Sequence, residues 1–187
     1  VMTGATLPAA CRFAAVGKSP LTGTAGESEA AGFFGPELKM AGFDAVVFKG
    51  RSEKPVYLWV TGGKAEIKDA AHISDLGARE VEDAIRKEMS SKKIRVAQTG
   101  LAGMNRVRFA NITNNLGHFN GRNGFGALMG AKNLRAVAAL GTEKLNFANP
   151  DFLRDTARDY ARTFKENPIG EQLFVYGTAA FPEILSA

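Results

Sequence analysis

The sequence is poor in the residues that most often announce a chemistry. It has one cysteine, Cys11, among 187 residues. A single thiol closes no internal disulfide and builds no metal cage, which fits a reducing compartment. Cys11 reads as a small, half-buried apolar residue. There are only two histidines, and His72 sits in a polar loop with no second ligand near it. No apolar run reaches the roughly eighteen residues a membrane helix needs, so no membrane partner is expected. No Ser/His/Asp set, zinc-ligand spacing or pair of catalytic carboxylates stands out. The net charge of +5 is spread among scattered basic residues without interleaved aromatics, so nucleic acid is not expected either. Neither end reads as a natural terminus: Val1 runs at once into a Gly/Pro turn, and PEILSA stops inside a starting helix. The chain is therefore expected to be a piece of a longer polypeptide, and the lack of a leader carries no information.

What is present is ordinary globular composition, 45% hydrophobic and 23% charged, enough for a domain with its own core. CRFAAV (11–16) reads as a strand bearing Arg12, and the Gly/Ser/Thr-rich stretch 17–28 as a long binding loop. Pro36 and Gly42 bracket a short helix, and DAVVFK (44–49) is strand-like. PVYLWV (55–60) and AEIKD (65–69) form a hairpin around TGGK, with Tyr57 and Trp59 on one face. Residues 75–89 carry an apolar stripe of Leu76, Val81, Ala84, Ile85 and Met89 and read as a helix capped by Ser74 or Asp75. Its carboxylates Glu80, Glu82 and Asp83 are expected on a solvated face. SSKK (90–93) is a turn, and 94–100 and 107–112 are strand-like. From Asn149, a cap residue followed by Pro150, an amphipathic helix runs to Pro168, which is expected to end it. A domain boundary is placed at 142–148.

The functional argument centres on residues 117–141, GHFNGRNGFGALMGAKNLRAVAALG. Four glycines fall in ten positions, with Arg122 among them, ahead of a short helix and a strand. Glycine lets backbone N–H groups approach a ligand, and a helix starting behind the loop aims its free N–H groups at the same spot. That reads as an anion cradle on an α/β scaffold. The dinucleotide fingerprint fails, because Gly130 arrives one residue late. The P-loop fails, because Ala127 stands where lysine is required. The stretch 33–50 echoes 124–141: Phe34-Gly35 falls on Phe125-Gly126, Ala45-Val46 on Ala136-Val137 and Gly50 on Gly141. Upstream, CRFAAVG echoes IRVAQTG. Such a duplication implies two related loops facing one ligand of near two-fold symmetry or with two anionic arms.

These residues resemble a known family. GRNGFGALMGAKNLRAVAALG is similar to the G-R-G-G-x-G-A-V-M-G-S-K-N-L-K-A-I segment of the aldehyde:ferredoxin oxidoreductases, which are tungsten (sometimes molybdenum) bis-pyranopterin enzymes. GKSPLTG (17–23), 33–60, 68–77 and RVRFANITNN (106–115) resemble that family's first domain in order. Residues 149–187, with YGTA at 176–179, resemble the start of its helical second domain. The resemblance implies an α+β fold of mixed β-sheets with short helices and an internal duplication, followed by the helical start of a second domain. It implies residues 1–145 as a metal–pterin-binding domain and 146–187 as the opening of the next.

The implied cofactors are the tungsten (or molybdenum) bis-pyranopterin, a magnesium ion bridging the pterin phosphates, and a [4Fe–4S] cluster whose cysteines lie outside this chain. The implied reaction oxidises an aldehyde to a carboxylic acid with ferredoxin as electron acceptor; relatives reduce aromatic thioesters instead. A cytoplasmic protein, homo-oligomeric at full length, is expected. By position, Arg12, Gly121 and Arg122 match pterin-contacting residues of the family, and Gly124, with Gly126, matches loop glycines of its cofactor site that act through backbone shape. Four further cofactor-site positions depart from its pattern: Glu29 stands for its usual asparagine, Ala31 for a glycine, His118 for an arginine, and Phe119 for the small residue whose carbonyl reaches magnesium. No catalytic residue is expected within these residues. The alternative is a non-catalytic phosphate- or nucleotide-binding module that shares the loop.

Overall fold

Residues Leu134–Leu140, LRAVAAL, are small or apolar apart from Arg135, and six of the seven are buried. A strand buried on both faces belongs in the middle of a sheet, and that is where it lies. The computed structural model describes residues 2–180. In chain order it comprises β1 (Phe13–Lys18), β2 (Ala25–Ala30), α1 (Phe34–Met40), β3 (Val56–Thr61) and β4 (Lys64–Asp69). There follow α2 (Ala78–Glu88), β5 (Arg95–Thr99), α3 (Leu101–Met104), β6 (Ile112–Asn114), β7 (His118–Asn120), α4 (Phe125–Ala131) and β8 (Leu134–Leu140). The helices α5 (Pro150–Thr163) and α6 (Pro168–Tyr176) come last. The fold is α+β. Six strands form one sheet in the order β4-β3-β8-β5-β6-β7, while β1 and β2 make a separate ribbon. Among the described residues only the β3–β8 pairing is parallel; the other ladders are antiparallel.

The alternation of strand side chains divides the core in two. Ala136 and Ala138 of β8, Tyr57 of β3 and Val96 of β5 face α2, whose Val81 and Ile85 are fully buried against them. Val137, Leu58, Val60 and Ala97 point the other way, toward Phe34 of α1 and Phe125 and Met129 of α4. Burial of each large apolar side chain contributes about 1.5–3 kcal/mol.

Several expectations hold: α1 and its Gly42 stop, the β3–β4 hairpin with Gly62 and Gly63 at positive φ, the α2 stripe, and Asn149 accepting the Phe152 N–H at 2.9 Å. Others are corrected. Residues 17–28 are not one long loop. AGESEA completes an antiparallel ribbon with β1, registered from Phe13↔Ala30 to Lys18↔Ala25, and only the residues between are a turn. DAVVFK (44–49) joins no ladder among the described residues. VRFAN (107–111) is not a strand: Arg106 at φ 57 turns the chain after α3, and pairing begins at Ile112. The cap of α2 is Gly77, whose N–H donates to the Glu80 carboxylate at 2.6 Å. Glu82 is 2% exposed rather than solvated, and it pairs with Arg86 at 2.8 Å. Pro168 starts α6 rather than ending α5. The echo holds for the helices α1 and α4. It fails for the strands, since β8 is central while 44–49 joins no ladder among the described residues, and β5 lies in the large sheet while β1 lies in the ribbon.

The chain divides into two compact units. One holds Ala9–Leu145 with the first residues up to Ala5; the other holds Thr6–Pro8 and the chain from Asn146 onward. In the second unit neither α5 nor α6 has a buried residue. Phe164 stacks with Tyr160 and meets Phe174 edge-on. The helix start read at 182–187 lies outside the described residues.

Candidate functional site

The β1–β2 ribbon is held to the segment 112–124 by asparagines. Asn123 Nδ2 donates to the Glu27 carbonyl at 2.7 Å. Asn120 Nδ2 donates to the Ser28 carbonyl at 2.7 Å. Asn114 Nδ2 donates to the Ala31 carbonyl at 3.0 Å, and Asn115 Oδ1 accepts the Phe33 N–H at 2.8 Å. The Arg122 N–H donates to Ser28 Oγ at 3.2 Å, and Ser19 Oγ donates to the Asn123 carbonyl at 2.9 Å. A strand as small and polar as AGESEA has little β-propensity of its own; these side-chain hydrogen bonds supplement its ladder with β1.

The two segments meet around an open cleft of about 820 Å3 lined by Arg12, Glu27, Ser28, Glu29, Phe119, Gly121 and Arg122. Five of the eight residues singled out from the sequence therefore line one cleft. Arg12 lies one residue before β1, and its Nη1 is 3.5 Å from Glu29 Oε2. Strand alternation puts Glu27 and Glu29 on the exposed face of β2, with buried Ser28 between them. Phe119 is 49% exposed at the cleft. A Cβ on Gly121 would meet nothing within 4 Å, so space in front of that backbone is open. Two guanidiniums and two carboxylates balance in charge across the cleft.

Three of the eight do not line it. Ala31 lies just beyond β2 and lends its carbonyl to Asn114. His118 is exposed at the start of β7, its backbone carbonyl accepting from Asn114 at 3.4 Å. Gly124 has φ 67, and a Cβ there would run into the Arg108 carbonyl oxygen. The expected anion cradle at the helix start is corrected as well. The N-terminus of α4 is buried, and its Gly126 N–H donates to the Ala110 carbonyl at 2.9 Å. Gly126 and Gly130 serve close packing against the backbones of 111 and 103. The glycine-rich stretch thus splits: Gly121 faces the cleft, and the later glycines pack the core.

Sequence reasoning missed Glu27 and Ser28, whose signal was the alternation of AGESEA, and the asparagine donors, whose signal was the density of Asn between 111 and 123. It also missed Arg135. That guanidinium is fully buried and donates to the carbonyls of Ile73 at 3.3 Å and Leu76 at 2.8 Å and to Gln98 Oε1 at 3.3 Å. Burial lowers its pKa to about 10. Desolvation also pushes the Glu82 carboxyl up, against the pull of Arg86. Neither group reaches the cleft; both order the α2 face of the sheet.

The family model described as aldehyde ferredoxin oxidoreductase, N-terminal domain, matches residues 1–141. The chain belongs to the aldehyde ferredoxin oxidoreductase family. The tungsten-containing aldehyde ferredoxin oxidoreductase of Pyrococcus furiosus is 40% identical over 186 residues, covering 99% of this chain and 31% of that protein. Its counterpart in Thermococcus kodakarensis is 39% identical with the same coverage. Among solved structures, the active site complex BamBC of benzoyl coenzyme A reductase, in complex with 1,5-dienoyl-CoA, matches with a TM-score of 0.83 and 36% identity. The match covers 88% of this chain and 25% of that one. The chain thus spans about a third of the length of these curated aldehyde ferredoxin oxidoreductase relatives. Among the described residues no helix is long and apolar enough to cross a membrane.

Proposed function

We propose that residues 1–145 seat a tungsten (or molybdenum) bis-pyranopterin in a full-length oxidoreductase that converts an aldehyde and water to a carboxylic acid. Two electrons and two protons are released per aldehyde. A [4Fe–4S] cluster, ligated from outside these residues, would carry the electrons to ferredoxin. On this reading residues 146–187 open the next, helical domain, and the enzyme works in the cytoplasm. The observation that carries the proposal is the cleft. It brings Arg12 and Arg122, 110 positions apart in sequence, into the lining of one cleft with an open backbone at Gly121.

The residues present fit an anionic pterin. Guanidiniums present planar donor forks suited to phosphate oxygens and pterin edges. The unobstructed Cα of Gly121 allows the backbone to approach a ligand closely. Glu27 and Glu29 make the wall neutral, which suits phosphate groups that arrive with a divalent cation such as magnesium. The bound metal–pterin would supply the redox chemistry. This chain's part is to hold it: Arg12 and Arg122 by charge, Ser28 by fixing the Arg122 backbone, and Phe119 by an apolar side wall. Aldehyde is the favoured substrate because the named aldehyde oxidoreductases align over 99% of the chain.

In the full-length enzyme, Arg122→Ala removes a charged hydrogen-bonding side chain. Such a bond contributes about 1.5–3 kcal/mol, roughly ten- to a hundredfold in cofactor affinity. Tungsten or molybdenum per chain, measured by elemental mass spectrometry, is expected to fall. Unchanged metal content would remove Arg122 from the seat, and absence of both metals from the unmodified enzyme would overturn the cofactor assignment.

A further inference from the structure

The charged side chains of the cleft are arranged unevenly. In the ribbon, Ala14 lies opposite Glu29 and Val16 opposite Glu27. All four are exposed, so both carboxylates rise from the exposed face of the ladder. The backbone that carries them is pinned: Asn123 holds the Glu27 carbonyl and Asn120 the Ser28 carbonyl, each at 2.7 Å. The two guanidiniums are not equivalent. Arg12 is engaged by Glu29 at 3.5 Å, with both side chains more than half exposed. Among the described residues neither Arg122 nor Glu27 takes part in an ion pair.

A bare anion can reach Arg122 directly. It reaches Arg12 only by taking the guanidinium from Glu29, and it then faces two carboxylates whose repulsion nothing offsets. An anion that carries its own divalent cation meets a different site. The cation replaces Arg12 as counter-ion to Glu29, and Arg12 is released to phosphate oxygens, which its planar fork suits. The Arg12–Glu29 pair has little structural value, because exposed pairs of this kind add almost nothing to stability. The strand that bears Glu29 is held by its ladder and by the asparagines instead. Removing the Glu29 charge therefore changes what the cleft selects and not how it folds.

On the reading of the cleft as a cofactor seat, on which this rests, we propose that Glu29 is a specificity-determining residue. By competing for Arg12 it rejects bare anions and admits a phosphate-bearing ligand that arrives with a divalent cation. Glu27 adds to the repulsion of bare anions without engaging Arg12. The free guanidinium of Arg122 gives the first hold, and exchange at the Arg12–Glu29 pair gives the second. Inorganic phosphate and similar bare anions gain only the first.

The test uses the full-length protein purified without its metal–pterin, with inorganic pyrophosphate as the probe and near-ultraviolet circular dichroism as the check on folding. Calorimetric titrations are run in magnesium and in EDTA. The unmodified protein is expected to bind pyrophosphate at least about tenfold more tightly in magnesium, the gain of one charged hydrogen-bonding partner. In EDTA, Glu29→Gln is expected to bind about two- to fivefold more tightly than the unmodified protein, and its preference for magnesium is expected to shrink. Glu29→Asp, which keeps the charge, is expected to keep the preference. Glu27→Gln serves as a second variant, expected to reduce the preference less than Glu29→Gln because Arg12 stays engaged. An unchanged preference in Glu29→Gln would overturn the proposal. So would equal affinity in magnesium and EDTA for the unmodified protein, or no binding in either. Tungsten or molybdenum measured in the untreated enzyme decides the cofactor reading separately. Metal present with an unchanged Glu29→Gln preference sinks the role of Glu29 alone, and metal absent sinks the seat.

Discussion

Two glycines three residues apart, Gly121 and Gly124, have opposite reasons to be glycine. Gly124 sits at φ 67 with the Arg108 carbonyl where a Cβ would go. The left-handed conformation costs a non-glycine residue about 1–2 kcal/mol, and the backbone would also have to shift. Gly124→Ala is therefore expected to lower unfolding free energy by about 2–4 kcal/mol in denaturant titration. Gly121 is not at positive φ, and a Cβ there meets nothing within 4 Å. Gly121→Ala is expected to leave stability within about 0.5 kcal/mol while reducing tungsten or molybdenum content in the full-length enzyme, because the added methyl occupies the space kept for the ligand. If Gly121→Ala lost stability and Gly124→Ala did not, the division of the glycine stretch into a cleft part and a packing part would fail.

At the level of elements, the ribbon and the 112–124 segment act together through their asparagines. Asn120 is fully buried, and its bond to the Ser28 carbonyl, 2.7 Å long, is the most enclosed of the set. Asn120→Ala leaves that carbonyl without a donor, at about 1–3 kcal/mol. The expected signature is local: amide exchange quickens in Ala25–Ala30 while the β3–β4 hairpin is unchanged. Uniform acceleration would show a global role instead. The same interaction explains what the sequence could disclose. The α2 stripe, the β3–β4 hairpin and the α4–β8 pair follow from periodicity and turn chemistry, because each is stabilised by its own pattern. β2 does not, since AGESEA is held by donors some ninety residues away. The burial of Glu82 and Arg135 is equally hidden, because their partners, Arg86 apart, lie on other elements. In the cleft, Arg12 and Arg122 were legible through the family pattern. Glu27 and Ser28 were not, because reading 17–28 as loop erased the alternation that places them.

For the molecule as a whole, the two units differ in how far they account for their own order. The first has a core on both faces of its large sheet. The second buries none of the residues of α5 or α6 and leaves Phe152, Ile169, Leu173, Phe174, Val175 and Tyr176 exposed. Its helices have 14 and 9 residues, near or below the length of about 12–15 at which isolated helices are marginal in water. The pairs Asp151–Arg154, Asp155–Arg158 and Asp159–Arg162 are exposed and contribute at most about 1 kcal/mol each. A peptide spanning 146–176 is therefore expected to show weak helical circular dichroism in water, with a large gain in trifluoroethanol. In the full-length enzyme the amides of α5 are expected to be protected, since further chain would cover the apolar side chains left exposed. A peptide strongly helical in water would show that local interactions suffice. Fast exchange of α5 in the full-length enzyme would show that no other part of the protein covers it.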